Sequence, residues 1–450
     1  APNATSDSYL ASSEGVYAGP VSVLDNDFDV DGDALSVVAF DSVSQSGGAV
    51  EVNPDGTFYY ASALGFSGID RFKYVLDDGQ GGLSEAWVAI DVPADETSET
   101  PYYVSGLIRG EEYRFNPDDS VGTGVTVTFA FAEQTPDYYY DGSFAHSGFE
   151  TFTTEMRDAA REILSAISEH TNIAFVETTP EEAGMIFGAA DTGESVDGIG
   201  YYPNAYSVDT PTGDVWLNAT WTGMNFEPGS EGYHLLMHEI GHALGLNHPD
   251  LPYEELSRQF TVMSYNEHTT FDGEASTMQL YDIAALQHLY GANLSATADD
   301  DVYTFEALSE TAQTIWDAGG HDTLDLSRAS HGVSIDMRDG AFSTVSTTGT
   351  NNISIALGST IEDALGSAHD DTIFGNDADN YIAGGGGNDA LTGGKGADIF
   401  AYGGTDGADV ISDFTRGEDK LALHDPDITF EELLFLQQDD GLLVQYSDSS

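Results

Sequence analysis

Four consecutive nine-residue repeats, which begin at Gly366, constrain the fold of this chain more than any other feature. They read GSAHDDTIF, GNDADNYIA, GGGGNDALT and GGKGADIFA, and they approximate the pattern GGxGxDx(apolar)x. The apolar position near the end of each repeat is filled by Ile373, Ile382, Leu391 and Ile399 or its neighbour Phe400. One such repeat cannot bury its apolar side alone, so the pattern predicts stacked turns of a parallel β-roll.

The sixth position of each repeat supplies a polar oxygen: Asp371, Asn380, Asp389 and Asp398. Calcium prefers carboxylate and carbonyl oxygens as ligands. The repeats therefore predict calcium between the turns. Binding should be weaker or absent where His369, Ala378 and Asn380 depart from the pattern.

The charge of the chain has the same implication. Asp and Glu number 78 against 12 Lys and Arg, which gives a net charge of −66 over 450 residues. A compact chain with this charge repels itself unless salt screens it or cations neutralise it. Adaptation to a saline habitat and extensive calcium ligation both explain the excess, whereas nucleic acids and anionic membranes are poor partners.

Composition also restricts the metal chemistry. The chain has no cysteine, so disulfides and thiolate ligands are excluded and metals must bind through His, Asp, Glu or backbone carbonyls. No run of 18 apolar residues is present, so no transmembrane segment is expected.

A second motif, HEIGHALGLNH, begins at His238. His238 and His242 are four residues apart, so a helix would place both imidazoles on one face, with Glu239 beside the metal rather than on it. Gly245 can adopt a positive φ and end the helix, so that the chain turns back and His248 becomes a third ligand. Three histidines leave one position of a tetrahedral zinc open for water, which is typical of a catalytic site.

The residues after this motif complete it. HExxHxxGxxH resembles the metzincin signature, in which a Met-turn should follow, and Val262-Met-Ser-Tyr265 supplies one. Met263 would form an apolar floor under the imidazoles. Tyr265 would stand beside the metal, where its phenol can donate to a developing oxyanion.

The predicted fold class is multidomain α+β. Residues 1–94 contain short alternating runs typical of an all-β sandwich, and 95–101 are an acidic linker. Residues 102–293 alternate strand and helix patterns, with helices predicted over 151–168 and 278–290, and are predicted to form the zinc-protease domain, a twisted sheet plus helices. Residues 294–450 should form the C-terminal parallel β-roll/β-sandwich.

The N-terminal segment is similar to the cadherin-like or VCBS modules of large bacterial secreted proteins. The similarity covers VLDNDFDVDGDALSV, VNPDGTFYY and GFSGIDRFKYVLDDGQGG. Asp27, Asp29, Asp31 and Asp33 alternate in a loop that could wrap a calcium ion, but Val38 stands where an EF-hand has glutamate, and a solvated acidic turn is the alternative.

Residues 102–450 resemble the serralysins, secreted zinc metalloproteases of the metzincin clan from Gram-negative bacteria. Besides the zinc motif, the resemblance rests on DIAALQHLYGAN, TIWDAGGHDTLDLS, STIEDALGS and VISDFTRGEDKLAL. GDVWLN, at 213–218, resembles the edge strand that pairs with the substrate backbone in this family. The resemblance implies a zinc endopeptidase that acts on proteins or peptides.

The resemblance also assigns roles to residues. Zinc would bind His238, His242 and His248, with Glu239 as base, Tyr265 as oxyanion donor and Met263 as floor. Calcium near the domain junction would use Asp317, Gly319, Gly320, Asp322, Thr360 and Glu362, with main-chain oxygens near Asp299 and Asp301. Calcium in the roll would use Asp371, Asp389, Asp398 and Asp409.

These features predict a monomeric, calcium-stabilised, extracellular enzyme, exported by a leaderless type I route from a Gram-negative bacterium, for which a marine habitat would explain the charge. A calcium-dependent adhesin or matrix protein is the alternative from another class, because sandwich and roll modules occur there too. The first module could bind a polysaccharide or a protein, or it could be an inert or inhibitory prosegment.

Overall fold

The computed structural model divides the chain into two compact units, Ala1–Thr100 and Pro101–Ser450, and each is described separately. It describes the whole chain except 1, 11–15, 18–21, 25, 30, 32–33, 63–67, 93–99, 137–146, 194–195, 204–211, 269, 306–309, 404–406, 424–432, 439–440 and 447–450. Most of the predicted linker, 95–101, therefore lies outside the described residues. The predicted boundaries at 94, 102 and 294 stay predictions.

The first unit contains two β-sheets whose apolar faces share one core. Phe58 from one sheet meets Phe72 from the other with ring centroids 5.6 Å apart. The four-stranded sheet has the order Asp7–Leu10, Leu83–Val92, Gly68–Asp77 and Ser36–Phe40. The three-stranded sheet has the order Val16–Tyr17, Phe58–Ala61 and Ala49–Val52, and Pro2–Asn3 pairs separately with Phe28–Asp29.

One carboxylate of the acidic loop accepts two hydrogen bonds from other parts of this unit. The Thr5 N–H and the Tyr74 hydroxyl donate to the two carboxylate oxygens of Asp27, at 2.7 and 2.8 Å. The Asp31 N–H donates to Asp29 Oδ1 at 2.7 Å. Asp33 lies outside the described residues, so calcium binding by this loop stays a prediction.

The second unit begins with a mostly parallel sheet flanked by helices. Its strand order is Ile173–Glu177, Val125–Phe131, Met185–Asp191, Val215–Asn218 and Gly198–Gly200, with Ser147–Glu150 pairing along Met185–Asp191. The helices are α1 (Tyr102–Ser105), α2 (Thr154–His170), α3 (Glu231–Ala243) and α4 (Leu280–Tyr290), with 3₁₀ turns at Ala219–Gly223 and Tyr253–Glu255.

The prediction that GDVWLN forms the edge strand is wrong. Val215–Asn218 is an inner strand, buried along its whole length, between Met185–Asp191 and the antiparallel strand Gly198–Gly200. Gly198–Gly200 is the edge in the described part of this sheet. The sequence did not predict this strand, because one isoleucine between two glycines is too short a run to show the alternation or the β-branched enrichment of a strand.

Local sequence explains where the long helices begin. Thr153 caps α2, its hydroxyl accepting the Met156 N–H at 3.3 Å, so α2 begins three residues later than predicted. Ser230 caps α3 in the same way through the Tyr233 N–H. α3 is buried on nearly all sides, because the sheet, α2 and the turn after the zinc motif surround it.

The rest of the unit is a coil built around two six-stranded sheets, parallel except for the last two strands of the second sheet. One sheet has the order Val302–Tyr303, Thr323–Asp325, Asp363–Leu365, Tyr381–Ala383, Ile399–Tyr402 and Lys420–Leu423. The other has the order Ser334–Asp336, Thr372–Phe374, Ala390–Thr392, Ala408–Ile411, Gly441–Tyr446 and Leu433–Gln438. A three-stranded sheet adds Gln313–Ile315, Ile353–Ile355 and Phe342–Ser343.

The roll buries one apolar side chain from each repeat between its two sheets. Ile373, Ile382 and Leu391 are buried as predicted, and in the fourth repeat the buried residue is Phe400, while Ile399 is half-exposed. The chain is therefore mostly β with few helices, and the single core of the roll runs along the axis of the coil.

Candidate metal centre and carboxylate columns

Helix α3 and the turn after it bring the three predicted zinc ligands together. One ring nitrogen from each of His238, His242 and His248 lies within 4.8 Å of the others. The Nε2 atoms of His242 and His248 are 3.1 Å apart. Two nitrogens bound at about 2.0–2.1 Å to one tetrahedral ion would be about 3.3 Å apart, so this spacing fits a zinc ion.

Backbone carbonyls fix the tautomer of two of these rings. The Nδ1–H groups of His238 and His242 donate to Val262 O at 2.9 Å and to Leu246 O at 2.8 Å. A carbonyl can only accept, so each Nε2 is left with a lone pair. The donor set is therefore that of a cation site.

Burial keeps these ligands neutral. It lowers the pKa of His238 to about 4 and that of His242 to about 3, and it also lowers the pKa of His248. Proximity of the rings to one another adds to the effect on His238 and His242. Metal ligation requires the unprotonated imidazole, so the rings are ready to bind near neutral pH.

The Glu239 carboxyl is buried beside the histidines and against the edge strand. A Cβ at Gly198 would lie 2.6 Å from Glu239 Cγ, and one at Gly200 would lie 2.7 Å from His242 Cβ. Burial raises the pKa of Glu239 to about 8, with a smaller contribution from Asp197, while the Gly200 backbone amide opposes the rise. The two glycines thus allow the helix and the edge strand to approach closely around this carboxyl.

Met263 and Tyr265 occupy the positions expected of a Met-turn. Met263 is fully buried, and a Cβ at Gly241 would lie 2.5 Å from its sulfur, so the thioether packs directly under the helix between the first two histidines. Tyr265 is 73% exposed, and its hydroxyl is 2.8 Å from His248 Nε2. The phenol therefore faces the opening of the site.

Asp282, at the start of α4, supports the centre and was not singled out from the sequence. Its carboxylate accepts the Thr261 hydroxyl at 2.6 Å, the Val262 N–H at 2.8 Å and the Gln279 N–H at 2.9 Å. Val262 in turn holds His238 through its carbonyl. In the sequence, Asp282 is recognisable as an acidic residue in the first turn of a predicted helix. Such a residue usually indicates only that the helix begins there, so its role beside the metal centre could not be predicted.

A backbone strap holds the loop that carries the third histidine. The Asp250 N–H donates to Gly106 O at 2.8 Å, the Asn247 N–H to Leu107 O at 2.6 Å and the Arg109 N–H to Gly245 O at 2.9 Å. Gly245 has φ +108°, and a Cβ there would lie 2.4 Å from Tyr113 O. Residues 106–113 thus fix the turn between His242 and His248.

A second group of candidate metal ligands lies where the roll begins. Carboxylate oxygens of Asp301, Asp317 and Asp322 lie within 4.8 Å of one another, and Asp322 Oδ2 is buried without a hydrogen-bond partner in the described chain. Burial raises the pKa of Asp317 and that of Asp322, the latter to about 7. Crowded, buried carboxylates with a free oxygen fit a hard cation such as calcium.

The other predicted ligands of this junction surround the cluster. Gly319 and Gly320 have φ +128° and +156°, and a Cβ at Gly320 would lie 2.4 Å from Asp299 O. Glu362 Oε2 accepts the Asp322 N–H at 2.8 Å, and Thr360 is half-buried two residues earlier. The sequence predicted main-chain oxygens near Asp301 but not its carboxylate as a ligand, because nothing in the spacing distinguishes this aspartate from its acidic neighbours.

In the roll, the carboxylates form two columns. In one, Asp389 Oδ1 accepts the Asp371 N–H at 2.8 Å and Asp409 Oδ1 accepts the Asp389 N–H at 3.0 Å. In the other, Asp398 Oδ1 accepts the Asn380 N–H at 2.9 Å and Asp419 Oδ1 accepts the Asp398 N–H at 3.1 Å. The four predicted aspartates are thus not one cluster, since Asp398 belongs to the second column.

The ends of these columns were not predicted, whereas the departure at Asn380 was. Asp419 ends the second column, and Asp413 accepts the Gly393 and Gly394 N–H groups at 2.9 and 2.8 Å. Neither residue lies within the repeats. The Asn380 amide donates to Glu362 O and Asn376 Oδ1, both at 3.0 Å, so that turn is closed by hydrogen bonds that need no cation.

A mostly parallel sheet with an antiparallel edge, a HExxHxxGxxH helix and a buried Met-turn define the metzincin class. The Matrixin family model matches residues 130–291, the Peptidase M10 serralysin C terminal model matches 281–444, and the bacterial cadherin-like domain model matches 1–94.

Curated relatives carry the same assignment. The chain is 34% identical to Serralysin G of Dickeya chrysanthemi over 73% of its own length and 78% of that protein, and 32% identical to Serralysin B of the same organism over 69% and 70%. It is 34% identical to Serralysin of Photorhabdus luminescens over 61% of its length, and it spans 63% of that relative. The chain belongs to the serralysin family. In its described part, no helix is long and apolar enough to cross a bilayer.

Proposed function

We propose that this chain is an extracellular zinc endopeptidase whose C-terminal half is stabilised by calcium. The observation that carries the proposal is the convergence of three neutral imidazoles, with a buried carboxyl beside them, at the edge of a sheet. Relatives named serralysin support the same reaction class.

The chemistry divides between the metal and the chain. A zinc ion held by His238, His242 and His248 would lower the pKa of a water molecule and polarise the scissile carbonyl. Glu239 accepts a proton from the attacking water on a carboxylate oxygen and returns it to the leaving amine nitrogen. The carboxyl is buried between Gly198 and the helix, and this burial favours its protonated form, so Glu239 can hold the proton between the two transfers.

Tyr265 serves as the donor to the developing oxyanion. Its hydroxyl reaches the nitrogen of His248 and is otherwise open to the cleft, so a small rotation brings it to a substrate oxygen. Loss of one such donor costs about 10²–10³ in kcat, and Tyr265→Phe is expected to show a loss of that order. Met263 positions the rings from below and takes no part in the chemistry.

The edge strand Gly198–Gly200 orients the substrate. An extended peptide can add to a sheet edge through main-chain hydrogen bonds. Here that edge runs directly past Glu239 and His242. A bound backbone would therefore cross the centre, while side-chain pockets set the cleavage preference.

Calcium supports the scaffold in this proposal. Asp301, Asp317, Asp322 and Glu362 would hold it at the junction, and the two columns would hold it in the roll. Binding to the folded state alone stabilises that state, which suits export of an unfolded chain and folding outside the cell. Adhesion or latency functions of the first module remain predictions from the sequence.

The decisive test replaces Glu239 with glutamine. Glu239→Gln is expected to retain one zinc per chain and to lose about 10²–10⁴-fold in casein or peptide hydrolysis, because only the proton acceptor is removed. The exposed residue Glu254, on the loop after the zinc motif, provides the matched control Glu254→Gln. A Glu239→Gln enzyme with wild-type activity would refute the role of this residue. A wild-type chain that binds no zinc and cleaves nothing would refute the proposed function itself.

A further inference from the structure

The chain carries 78 acidic residues, yet Arg109, near the zinc motif, forms no ion pair with a carboxylate among the residues that the structure describes. Several other basic residues do form ion pairs: Arg161 binds Asp158 and Glu177, Arg258 binds Glu274, and Lys395 binds Asp377. The Arg109 side chain is exposed, and among the described residues its contacts are with two aromatic rings.

Those rings connect Arg109 to the metal centre. Its guanidinium lies 5.3 Å from the ring centroid of Tyr202 and 5.7 Å from that of Tyr113. The Tyr202 hydroxyl donates to Asn247 at 2.9 Å and stands 3.3 Å from His242 Nδ1. A single tyrosine ring therefore separates the guanidinium from a predicted zinc ligand.

The backbone of Arg109 is fixed, so the position of this charge does not depend on a mobile loop. The Arg109 N–H donates to Gly245 O within the strap described above. The guanidinium lies over two tyrosine rings and donates no hydrogen bond to another described residue. Its N–H groups suit a carboxylate.

The edge strand sets the distance from the reaction centre. Gly200 packs on His242, and Tyr202 follows it by two residues. Extended chains advance about 3.3 Å per residue. A substrate lying along Gly198–Gly200 would therefore bring a side chain two or three residues from its scissile bond up to Arg109.

We propose that Arg109 is a specificity-determining residue that selects peptides with an aspartate or glutamate two or three residues from the scissile bond, on one side of it. This inference rests on the proposed peptidase function and adds a substrate class to it. The high negative charge of the chain repels acidic peptides in general, so local attraction at Arg109 distinguishes a correctly placed carboxylate from any other.

A peptide library with each position varied in turn tests the inference on the full-length zinc- and calcium-loaded enzyme. The wild type is expected to prefer Asp or Glu over Ala, Gln and Lys at one such position, by about threefold to tenfold in kcat/KM, the range of a partly exposed ion pair. High salt should reduce the preference, since screening weakens exposed pairs.

Variants separate charge from shape. Arg109→Gln should abolish the acidic preference, Arg109→Glu should invert it towards Lys and Arg, and Arg109→Lys should retain part of it. Arg416, exposed on the last turn of the roll, provides the control Arg416→Gln, which removes one positive charge elsewhere and should leave the preference intact. Arg416→Gln should also leave the kcat/KM for a peptide with alanine at that position unchanged, and each Arg109 variant is judged by its ratio of kcat/KM for the acidic and the alanine peptide, which a general loss of activity does not change.

The outcomes distinguish the two proposals. Absence of any cleavage by the wild type contradicts the peptidase function. Cleavage without an acidic preference, or a preference that survives in Arg109→Glu, contradicts the role of Arg109 and leaves the peptidase function standing.

Discussion

The two groups of candidate metal ligands are organised in opposite ways. At the zinc motif, backbone carbonyls fix the tautomers of His238 and His242, burial keeps the imidazoles neutral, and the Nε2 atoms of His242 and His248 lie 3.1 Å apart without charge repulsion. In the roll and at its junction, carboxylates are stacked, and burial raises the pKa of Asp322 to about 7 and that of Asp398 to about 6. The fold holds the histidines of the first centre in a geometry suited to a metal. The charge of the carboxylates in the second group destabilises the fold until cations neutralise it.

This difference indicates which metal the structure depends on. Zinc would be bound by a site that hydrogen bonds and packing already define, so its loss should remove chemistry but little structure. Calcium would be bound by groups whose charge is unfavourable without it, so its loss should remove structure first.

Selective chelation should separate the two groups of metal ligands with the largest effect on structure and activity. An ion at a thousand times its Kd stabilises the folded state by about 4 kcal/mol, so several ions exceed the usual stability of a domain of about 5–15 kcal/mol. Calcium chelation at neutral pH is expected to abolish most β signal of the roll in circular dichroism. A zinc-selective chelator should abolish activity and leave that signal unchanged. A roll that stays folded without calcium would contradict this account.

Asp282→Ala should have the next largest effect, because it removes the hydrogen bonds that support the zinc motif. It leaves the Val262 and Gln279 N–H groups and the Thr261 hydroxyl without their acceptor in a fully buried place, at a cost of about 2–4 kcal/mol. Loosening Val262, which orients His238, should weaken zinc affinity about 10–100-fold. Competition with a zinc-binding dye and thermal unfolding measure the two effects.

The control for that experiment is Asp272→Ala, in the same segment but exposed. It should leave both zinc affinity and unfolding within error of the wild type. Asp282→Asn should be intermediate, because an amide oxygen can still accept from Val262. Wild-type zinc affinity in Asp282→Ala would show that the histidines are held without this residue.

Acid should produce the smallest effect, with opposite sign in the two regions of the metal-free protein. The pKa values of His238 and His242 are lowered in the folded state, so their contribution to stability is present above about 6.5 and lost as pH falls below it. The raised pKa of Glu239 on the same helix acts in the opposite direction and offsets only part of this loss, because two histidines oppose one carboxyl. The pKa values of Asp322 and Asp398 are raised, so their contribution is present below about 4 and lost as pH rises towards 7.

Hydrogen exchange followed by mass spectrometry can resolve this contrast. Between pH 7 and pH 5 in a metal chelator, protection corrected for intrinsic exchange should fall in peptides from α3 and rise in peptides from the roll. Solvent screening limits each change to about tenfold. Parallel changes in both regions would show that the carboxylates do not control the stability of the roll.

Much of this architecture could be predicted where a repeated pattern or a fixed spacing carried the information. The 18 residues of each turn follow from two nonapeptides. The placement of His238 and His242 on α3 follows from the i, i+4 spacing, and that of His248 from the turn at Gly245. The zinc, calcium and catalytic roles of those residues stay predictions. The family is confirmed by the relatives.

What could not be predicted depends on partners distant in the chain. Gly198–Gly200 becomes an edge strand only because Val215–Asn218 offers it hydrogen bonds. Asp282 becomes a support of His238 only when α4 meets the Met-turn, and Asp419 ends a column only once the coil closes. Arg109 drew no attention because a lone arginine has no local pattern, and its setting arises from Tyr113 and Tyr202.

The strap formed by 106–113 limits how the chain can be trimmed or recombined. The first compact unit ends at Thr100. A protease that cuts close to Pro101 would remove that unit, and a protein engineer could replace it at the same place. A cut beyond Leu107 would release the loop that carries His248, although it would fall more than 130 residues before that histidine. The permissible junction is therefore a window of only a few residues, and a graft of the peptidase onto another carrier should begin there.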